Sequence, residues 1–419
     1  MNTSRRLFLT GASALAVAFA AGAASAQDAV DGILKASGQG GWDDTFDARA
    51  TETGKVASTL PIFSPQTVTY TEQAIAQYRD IVAQGGWPQV PATKKLQLGV
   101  SDADVAVLRK RLMVSGDLSA SAGLSESFDS YVDSALKRFQ TRHGLPADGV
   151  TGKYTFAAMN VSAQVRLGQL ETNLVRLRSM GGFLGNRYVM VNIPAAQIEA
   201  VEGDRVVLRH TAIVGKIDRQ TPIVNSKINE IIVNPYWNAP VSIVRKDIIP
   251  LMRKNPNYLK DSHIRLLAPD GSEVDPTTVD WSTEEAAKYR FRQDPGTGNA
   301  MASVKINFPS PDGVYMHDTP QKAFFQRDMR ALSHGCVRLQ DPRGMAAAVL
   351  DTSVDYIADK LAQGHSSQQV TRKIPVYVAY FTAWPDMSGK VEYFDDVYGR
   401  DDRLRQALEA VAAVRSPSS

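Results

Sequence analysis

The stretch Leu332 to Leu339 reads LSHGCVRL and contains Cys336, the one cysteine in 419 residues. A thiol becomes a useful nucleophile when a nearby base, a positive charge or backbone N–H groups favour its thiolate. Gly335 permits a tight backbone, so N–H groups around Cys336 can point at a developing oxyanion. His334 adjoins the thiol in sequence, but neighbours on an extended strand point to opposite faces. A second histidine lies upstream in DGVYMHDTP, where Val314, Tyr315, Met316 and His317 read as a strand end before a turn at Asp318-Thr319-Pro320. A histidine there can face the thiol, take its proton and return it to a leaving amine. The alternative is a buried structural cysteine beside a structural histidine.

These residues need strands to hold them. From Tyr188 the apolar period is two: RYVMVNIPAAQIEAVEGDRVVLRHTAIVGK alternates in short runs broken by Pro194 and Gly203-Asp204. INEIIVNPYWNAP, VKINFPSPDGVYMHD and IPVYVAYFTAWP continue the pattern. Residues 242–297 differ, with the lysine-rich VRKDIIPLMRKNPNYLK followed by DWSTEEAAKYRFRQDPGTG, and read as an insertion capping a mostly β domain.

Upstream the text is helical. YTEQAIAQYRDIVAQGGW carries Ile75, Tyr78 and Ile81-Val82 at helical spacing and stops at Gly85-Gly86. SDADVAVLRKRLMVSGDL has Ser101 or Asp102 as cap and Val105, Leu108 and Leu112 as inward stripe. YVDSALKRFQTRHGLPADGVTG has Val132, Leu136 and Phe139 on one face, a break at Gly144 and a turn at Asp148-Gly149. VSAQVRLGQLETNLVRLRSM is a linking helix.

The first 26 residues read as a leader: twin arginines Arg5 and Arg6, an Ala/Gly-rich apolar run, and a small-residue cleavage pattern at Ala24-Ser25-Ala26. The arginine pair is similar to a twin-arginine signal; a general secretory signal is the alternative. Losing that pair lowers the formal net charge from +3 to +1, so nothing suggests nucleic-acid partners or electrostatic membrane attachment. No later stretch approaches about 18 consecutive apolar residues, so no membrane span is expected in the mature protein. One cysteine allows no internal disulfide, and an exported free thiol is an oxidation liability. Its retention is expected to have a chemical reason.

His317, fifteen intervening residues, then Ser333-His334-Gly335-Cys336 resembles the signature of L,D-transpeptidases with a YkuD-type catalytic domain. NPYWNAP, RQDPGTGNA, VKINFP, YFTAWPDMSGKV and DVYGRD resemble the large periplasmic multi-domain members. The FQ, HGL and DG-x-x-G-x-x-T order over about residues 98–160 resembles a small peptidoglycan-binding domain, with a supporting helical bundle as the alternative. The implied fold is α+β and multi-domain: a helical peptidoglycan-binding-like domain, then a mostly β catalytic domain with a capping insertion. The expected boundaries are a leader at 1–26, a linker at 27–65, a helical domain at 66–165 and a linking helix at 166–187. The catalytic domain follows at 188–385, with its insertion at about 242–297, and a C-terminal segment at 386–419.

Carried over by resemblance, Cys336 is the acylated nucleophile and His317 the general base. N–H groups near Gly335 and Cys336 form the oxyanion hole, and Ser333 and His334 shape the pocket. Many members have asparagine where this chain has Arg338. A guanidinium there either grips a substrate carboxylate in two-pronged geometry or makes a surface salt bridge. Tyr315 and Trp237 are further substrate-binding candidates, with packing the alternative for Trp237. The insertion either binds glycan or stem peptide or simply packs. His317 is oriented either by Asp318 or by a backbone carbonyl.

The resemblance implies a thioester on Cys336 from a tetrapeptide stem, release of D-Ala, and transfer to a side-chain amine of a second stem, giving a three-to-three cross-link in the periplasm. It implies peptidoglycan stems and glycan as partners, no metal or organic cofactor, and acylation by carbapenems. Water or an outer-membrane lipoprotein lysine are alternative acceptors. A non-catalytic wall-binding protein is the alternative of another class. A papain-like protease would place its cysteine before its histidine, the reverse of the order here.

Overall fold

The computed structural model describes residues 60–415 apart from 182, 183, 328, 387 and 388. The expected leader and most of the linker lie outside the described residues. The chain is α+β and multi-domain, with helices first and a mostly β domain after them.

Helix α1 (Thr67–Ala83) comes first, then the small domain with α2 (Ala103–Val114), α3 (Ser130–Arg142) and α4 (Lys153–Met159). Asp102 is the α2 cap, accepting from the Asp104 N–H at 2.9 Å, and Asp129 caps α3 through the N–H groups of Tyr131 and Val132. Each such cap stabilises its helix by about 1 kcal/mol. The expected stripes, Val105-Leu108-Leu112 and Val132-Leu136-Phe139, are wholly buried against each other. The motif after α3 is a hydrogen-bond network around one buried amide. Gln140 donates to the Asp148 carboxylate (2.7 Å), the Val150 carbonyl (2.9 Å) and Thr155 (3.2 Å), and accepts from the Gly149 N–H (3.0 Å). Gly149 has φ +77°, a left-handed conformation that favours glycine, and a Cβ there would lie 2.2 Å from Asp133 Oδ1 and push that carboxylate aside.

Helix α1 does not join that small core. It packs on the linking helix α5 (Ala163–Ser179) and on a hairpin of β13 (Ala383–Pro385) and β14 (Val391–Tyr393). The helical domain expected over 66–165 is therefore two packing units, because Ala74, Ile75 and Tyr78 face Leu167, Leu170 and Tyr393. The C-terminal segment is equally integrated: its helix α8 (Arg400–Arg415) follows β14, and Asp401 pairs with Arg176 of α5. Arg142 of α3 forms a buried ion pair with Asp117 and donates to the Val391 carbonyl, tying the small domain to the hairpin.

The β domain is built on β1 (Arg187–Asn192), β2 (Gln197–Glu202), β3 (Arg205–Gly215), β4 (Val224–Val233), β8 (Val304–Asn307), β9 (Met316–His317), β10 (Ala331–Ser333), β11 (Val337–Leu339) and β12 (Ser366–Ala379). Their pairings close on themselves: β1, β2, β3, β11, β9, β8, β4 and β12 form a ring, with β10 extending one edge of β3. Apolar residues of the strands and of helices α6 (Pro342–Leu350) and α7 (Val354–Ala362) fill one core, including Met316, Val337, Met345 and Ile357.

The insertion has its own sheet, β5 (Trp237–Asn238), β7 (Arg290–Gln293) and β6 (Ile264–Leu267), and its own core of Val244, Ile248, Leu259, Leu266 and Phe291. It begins at Trp237, a little before the expected boundary, because the NPYWNAP text supplies its first strand. No described helix is long and apolar enough to cross a membrane.

Candidate active site

Parallel pairing of β11 with β9 sets Val337 against Met316 and Arg338 against His317. Side chains alternate along a strand. Met316 and Val337 thus enter the core, while Tyr315, His317, Cys336 and Arg338 share the other face. Antiparallel pairing of β8 with β9 places Lys305 opposite His317 on that face. The Lys305 ammonium lies 4.2 Å from the Tyr315 ring centroid, and the Tyr315 and His317 rings meet edge to face at 5.5 Å. Cys336 and His317 are diagonal neighbours on that face, and the Lys305 and Arg338 cations act on both.

His317 is buried, and its Nδ1–H donates to the Asp318 backbone carbonyl. Of the two alternatives for its orientation, the backbone carbonyl is the one present. The Asp318 carboxylate turns away, accepting from Ser303 and pairing with Lys322. That tautomer leaves Nε2 free to accept a proton. Burial, then the Arg338 cation, hold the imidazole down at about 3, opposed by the Asp318 carbonyl, so it is neutral near pH 7. Burial pushes the half-buried Cys336 thiol up; the Tyr315 amide and hydroxyl, then Lys305 and Arg338, favour its thiolate. At rest the pair is therefore thiol and neutral imidazole.

The turn before the nucleophile is braced from within. Ser333 Oγ donates to the Cys336 carbonyl and accepts from the Gly335 N–H at 3.1 Å. The Val337 N–H donates to the Tyr315 carbonyl at 3.1 Å. Gly335 has φ +114°, a left-handed conformation that favours glycine. The Gly335 N–H, expected in the oxyanion hole, is thus already taken by Ser333. The Cys336 N–H has no acceptor among the described residues.

His334 points away from the thiol to the insertion, its Nε2 at 3.8 Å from Asp247, which also pairs with Arg219. Burial holds it down at about 4, with Asp247 opposing. Asp247 sits in a π-helical turn (Val244–Ile248), so the insertion docks beside the site through one carboxylate. Arg338 donates from Nη1 to Gln321 at 2.6 Å, and its buried Nε has no partner among the described residues. Burial lowers it. That bond is to a neutral amide rather than a surface carboxylate, so the salt-bridge alternative is not the arrangement present. Trp237 is set apart, half-buried against the insertion core and paired with Gln293 across the small sheet. Sequence reading missed Lys305, which the alternation of VKIN (Val304 and Ile306 inward, Lys305 and Asn307 outward) signals once β8 is paired with β9. Among the described residues, no group of three or more His, Cys, Asp or Glu is gathered to hold a metal ion.

Residues 186–376 match the YkuD family, described as an L,D-transpeptidase catalytic domain, and residues 101–159 match a family described as "Putative peptidoglycan binding domain". A Haemophilus influenzae protein named "Putative L,D-transpeptidase" is 34% identical over 244 residues, covering 57% of this chain and 49% of the relative. The chain therefore spans about half the length of that curated relative. Similar solved structures include an L,D-transpeptidase from Mycobacterium smegmatis (16% identity, 46% of this chain and 58% of that one, TM-score 0.23). Another is an L,D-transpeptidase (Yku) from Stackebrandtia nassauensis (15% identity, 70% of this chain and 96% of that one, TM-score 0.26).

Proposed function

We propose, for a chain whose residues 186–376 are a YkuD-family L,D-transpeptidase catalytic domain preceded by a peptidoglycan-binding-type domain, a Cys336 acyl-enzyme mechanism on peptidoglycan stems. The observation that carries this reading is the shared face of Cys336 and His317, with the imidazole neutral and its Nε2 free.

In the first step the Cys336 proton passes to His317 Nε2. The sulfur attacks the carbonyl joining the L-centre of the third stem residue, diaminopimelate, to the terminal D-Ala. The oxyanion that forms is stabilised by the Cys336 N–H. His317 returns the proton to the departing D-Ala amine, and a thioester remains. In the second step the side-chain amine of another stem attacks the thioester, loses its proton through His317 and expels the Cys336 thiolate. The product is a three-to-three cross-link.

The low basicity of resting His317 and the raised thiol both oppose the first proton transfer. Arg338 contributes to the former. A stem carboxylate placed on Arg338 would offset that cation and raise His317 toward its ordinary range, so substrate binding and base strength are coupled. Tyr315 and Lys305 line the same face and stabilise the thiolate. The small domain holds glycan near the barrel, and the leader directs the protein to the periplasm.

The test is intact mass of the mature protein after incubation with disaccharide-tetrapeptide, alongside Cys336→Ala and His317→Gln, with products weighed. A thioester adduct in wild type alone, plus a dimer lacking one D-Ala, is expected. Tripeptide without dimer would assign water as acceptor and overturn cross-linking. Neither adduct nor product would overturn the catalytic reading.

A further inference from the structure

The text DVYGRD, Asp396 to Asp401, lies beyond the matched residues 186–376, yet it reaches the loop beside the nucleophile turn. Tyr398 is buried; its hydroxyl donates to the Gly215 carbonyl and accepts from the Thr221 N–H at 3.2 Å. Arg400 donates to Gln220 at 2.9 Å in the same loop. Thr221 is wholly buried, accepts from the Gly215 N–H at 2.8 Å and donates from Oγ1 to the Gly335 carbonyl at 2.8 Å. The packing has no slack. A Cβ on Gly215 would lie 2.1 Å from the Arg219 carbonyl oxygen and 2.6 Å from the Thr221 nitrogen.

The direction of that last hydrogen bond matters. In a trans peptide the C=O and N–H of one unit point opposite ways. The Gly335 carbonyl and the Cys336 N–H belong to one unit, so fixing the carbonyl on Thr221 aims the N–H away from this buried side. Glycine at φ +114° leaves the unit free to swing when nothing holds it. The following unit is fixed separately, by Ser333 on the Cys336 carbonyl and by the Tyr315 carbonyl on the Val337 N–H.

We infer that Thr221, held in place by Tyr398, is a positioning residue that presents the Cys336 N–H to the oxyanion. The C-terminal segment is thereby part of the catalytic apparatus. This rests on the acyl-enzyme reading above.

The test compares two rates in the full mature chain: acylation by disaccharide-tetrapeptide, which needs the N–H, and alkylation of Cys336 by iodoacetamide, which forms no oxyanion. Losing an oxyanion donor outright costs about 10²–10³ in rate, so misaiming one through Thr221→Val is expected to slow acylation by about 10- to 100-fold. Alkylation and its pH profile should stay put. Thr221→Ser, which keeps the hydroxyl, should restore acylation to within about threefold of wild type. Tyr398→Phe keeps the buried ring and should show the same split at about 5- to 10-fold; it decides the question should the valine variant not fold. Equal acylation in wild type and both variants, or alkylation falling in step with acylation, would overturn the assignment alone. A wild type that alkylates but is never acylated would overturn the underlying reading, and this assignment with it.

Discussion

Replacing Ser333 by alanine removes one hydroxyl that serves two backbone groups on either side of the nucleophile. Ser333 is 1% exposed, and its oxygen meets the Cys336 carbonyl and the Gly335 N–H. A buried backbone group left without a partner costs about 1–3 kcal/mol, so the two together put the loss near 2–4 kcal/mol, with water entry at the half-buried turn favouring the lower end. For a domain the size of the β ring, each kcal/mol moves the midpoint by about 2–4 °C, so a fall of roughly 5–10 °C is expected. The assay is calorimetry of the mature protein, in which the helical units and the β ring need not melt together. The peak to follow is the one shifted by Cys336 acylation. Acylation itself should slow, since the Cys336–Val337 unit loses its brace. A midpoint within 1 °C of wild type would refute the idea that this hydroxyl holds the turn.

Gly215→Ala and Gly335→Ala should differ in kind. The first forces backbone apart and is expected to cost more than about 3 kcal/mol; the second meets nothing closer than 3.7 Å and should cost only the left-handed backbone penalty of about 1–2 kcal/mol, as thermal melts of both will show. Cys336 alkylation by iodoacetamide should be slower at pH 7 than that of a free cysteine and should rise beyond pH 9, since burial raises the thiol; Lys305→Met, which removes a cation favouring the thiolate, should shift the profile further up, and an unchanged profile would count against its role. His317 is neutral in the fold down to about 3, against about 6.5 when unfolded. Below pH 6.5 the unfolded chain takes the proton first, so its stability contribution, full above 6.5, is lost as pH falls toward 3. The loss is about 2 kcal/mol by pH 5, with buried His143 adding in the same direction. Urea midpoints from pH 7 to 4 should fall less steeply in His317→Gln.

Much of this architecture was legible because its signals are local. The stripes of α2 and α3, the Ser101 or Asp102 cap of α2 and the turn at Asp148-Gly149 are written within a few dozen residues, whereas the Asp129 cap and the Gln140 bonds came only with the structure. So is the Ser333 to Cys336 turn, whose glycine announces its own backbone. Ring closure was not legible. β11 and β9 are three and two residues long, too short to show a period, and their register decides that Tyr315, His317, Cys336 and Arg338 share a face. Lys305 and Tyr398 lie in the stretches VKINFP and DVYGRD, but neither stretch shows what its residue touches, and Thr221 lies in no such stretch. His334 was expected to shape the pocket, yet its partner Asp247 lies in the insertion, where no sequence pattern announces it. The oxyanion reading named two N–H groups where the Ser333 side chain leaves one, because sequence shows a donor without its acceptor.

Closure of the ring has a kinetic consequence. The nucleophile's strand pairs with β9 across about twenty residues but with β3 across more than a hundred, and the longer-range contact forms late because more loop entropy must be overcome first. A chain still folding can therefore bring Cys336 near His317 while the β3 seam is open, but Thr221, between β3 and β4, holds the Gly335 carbonyl only once that seam is joined. Reactivity toward an acyl donor is then a reporter of completed folding: in a refolding experiment, acylation competence should appear with the slowest phase and never before it.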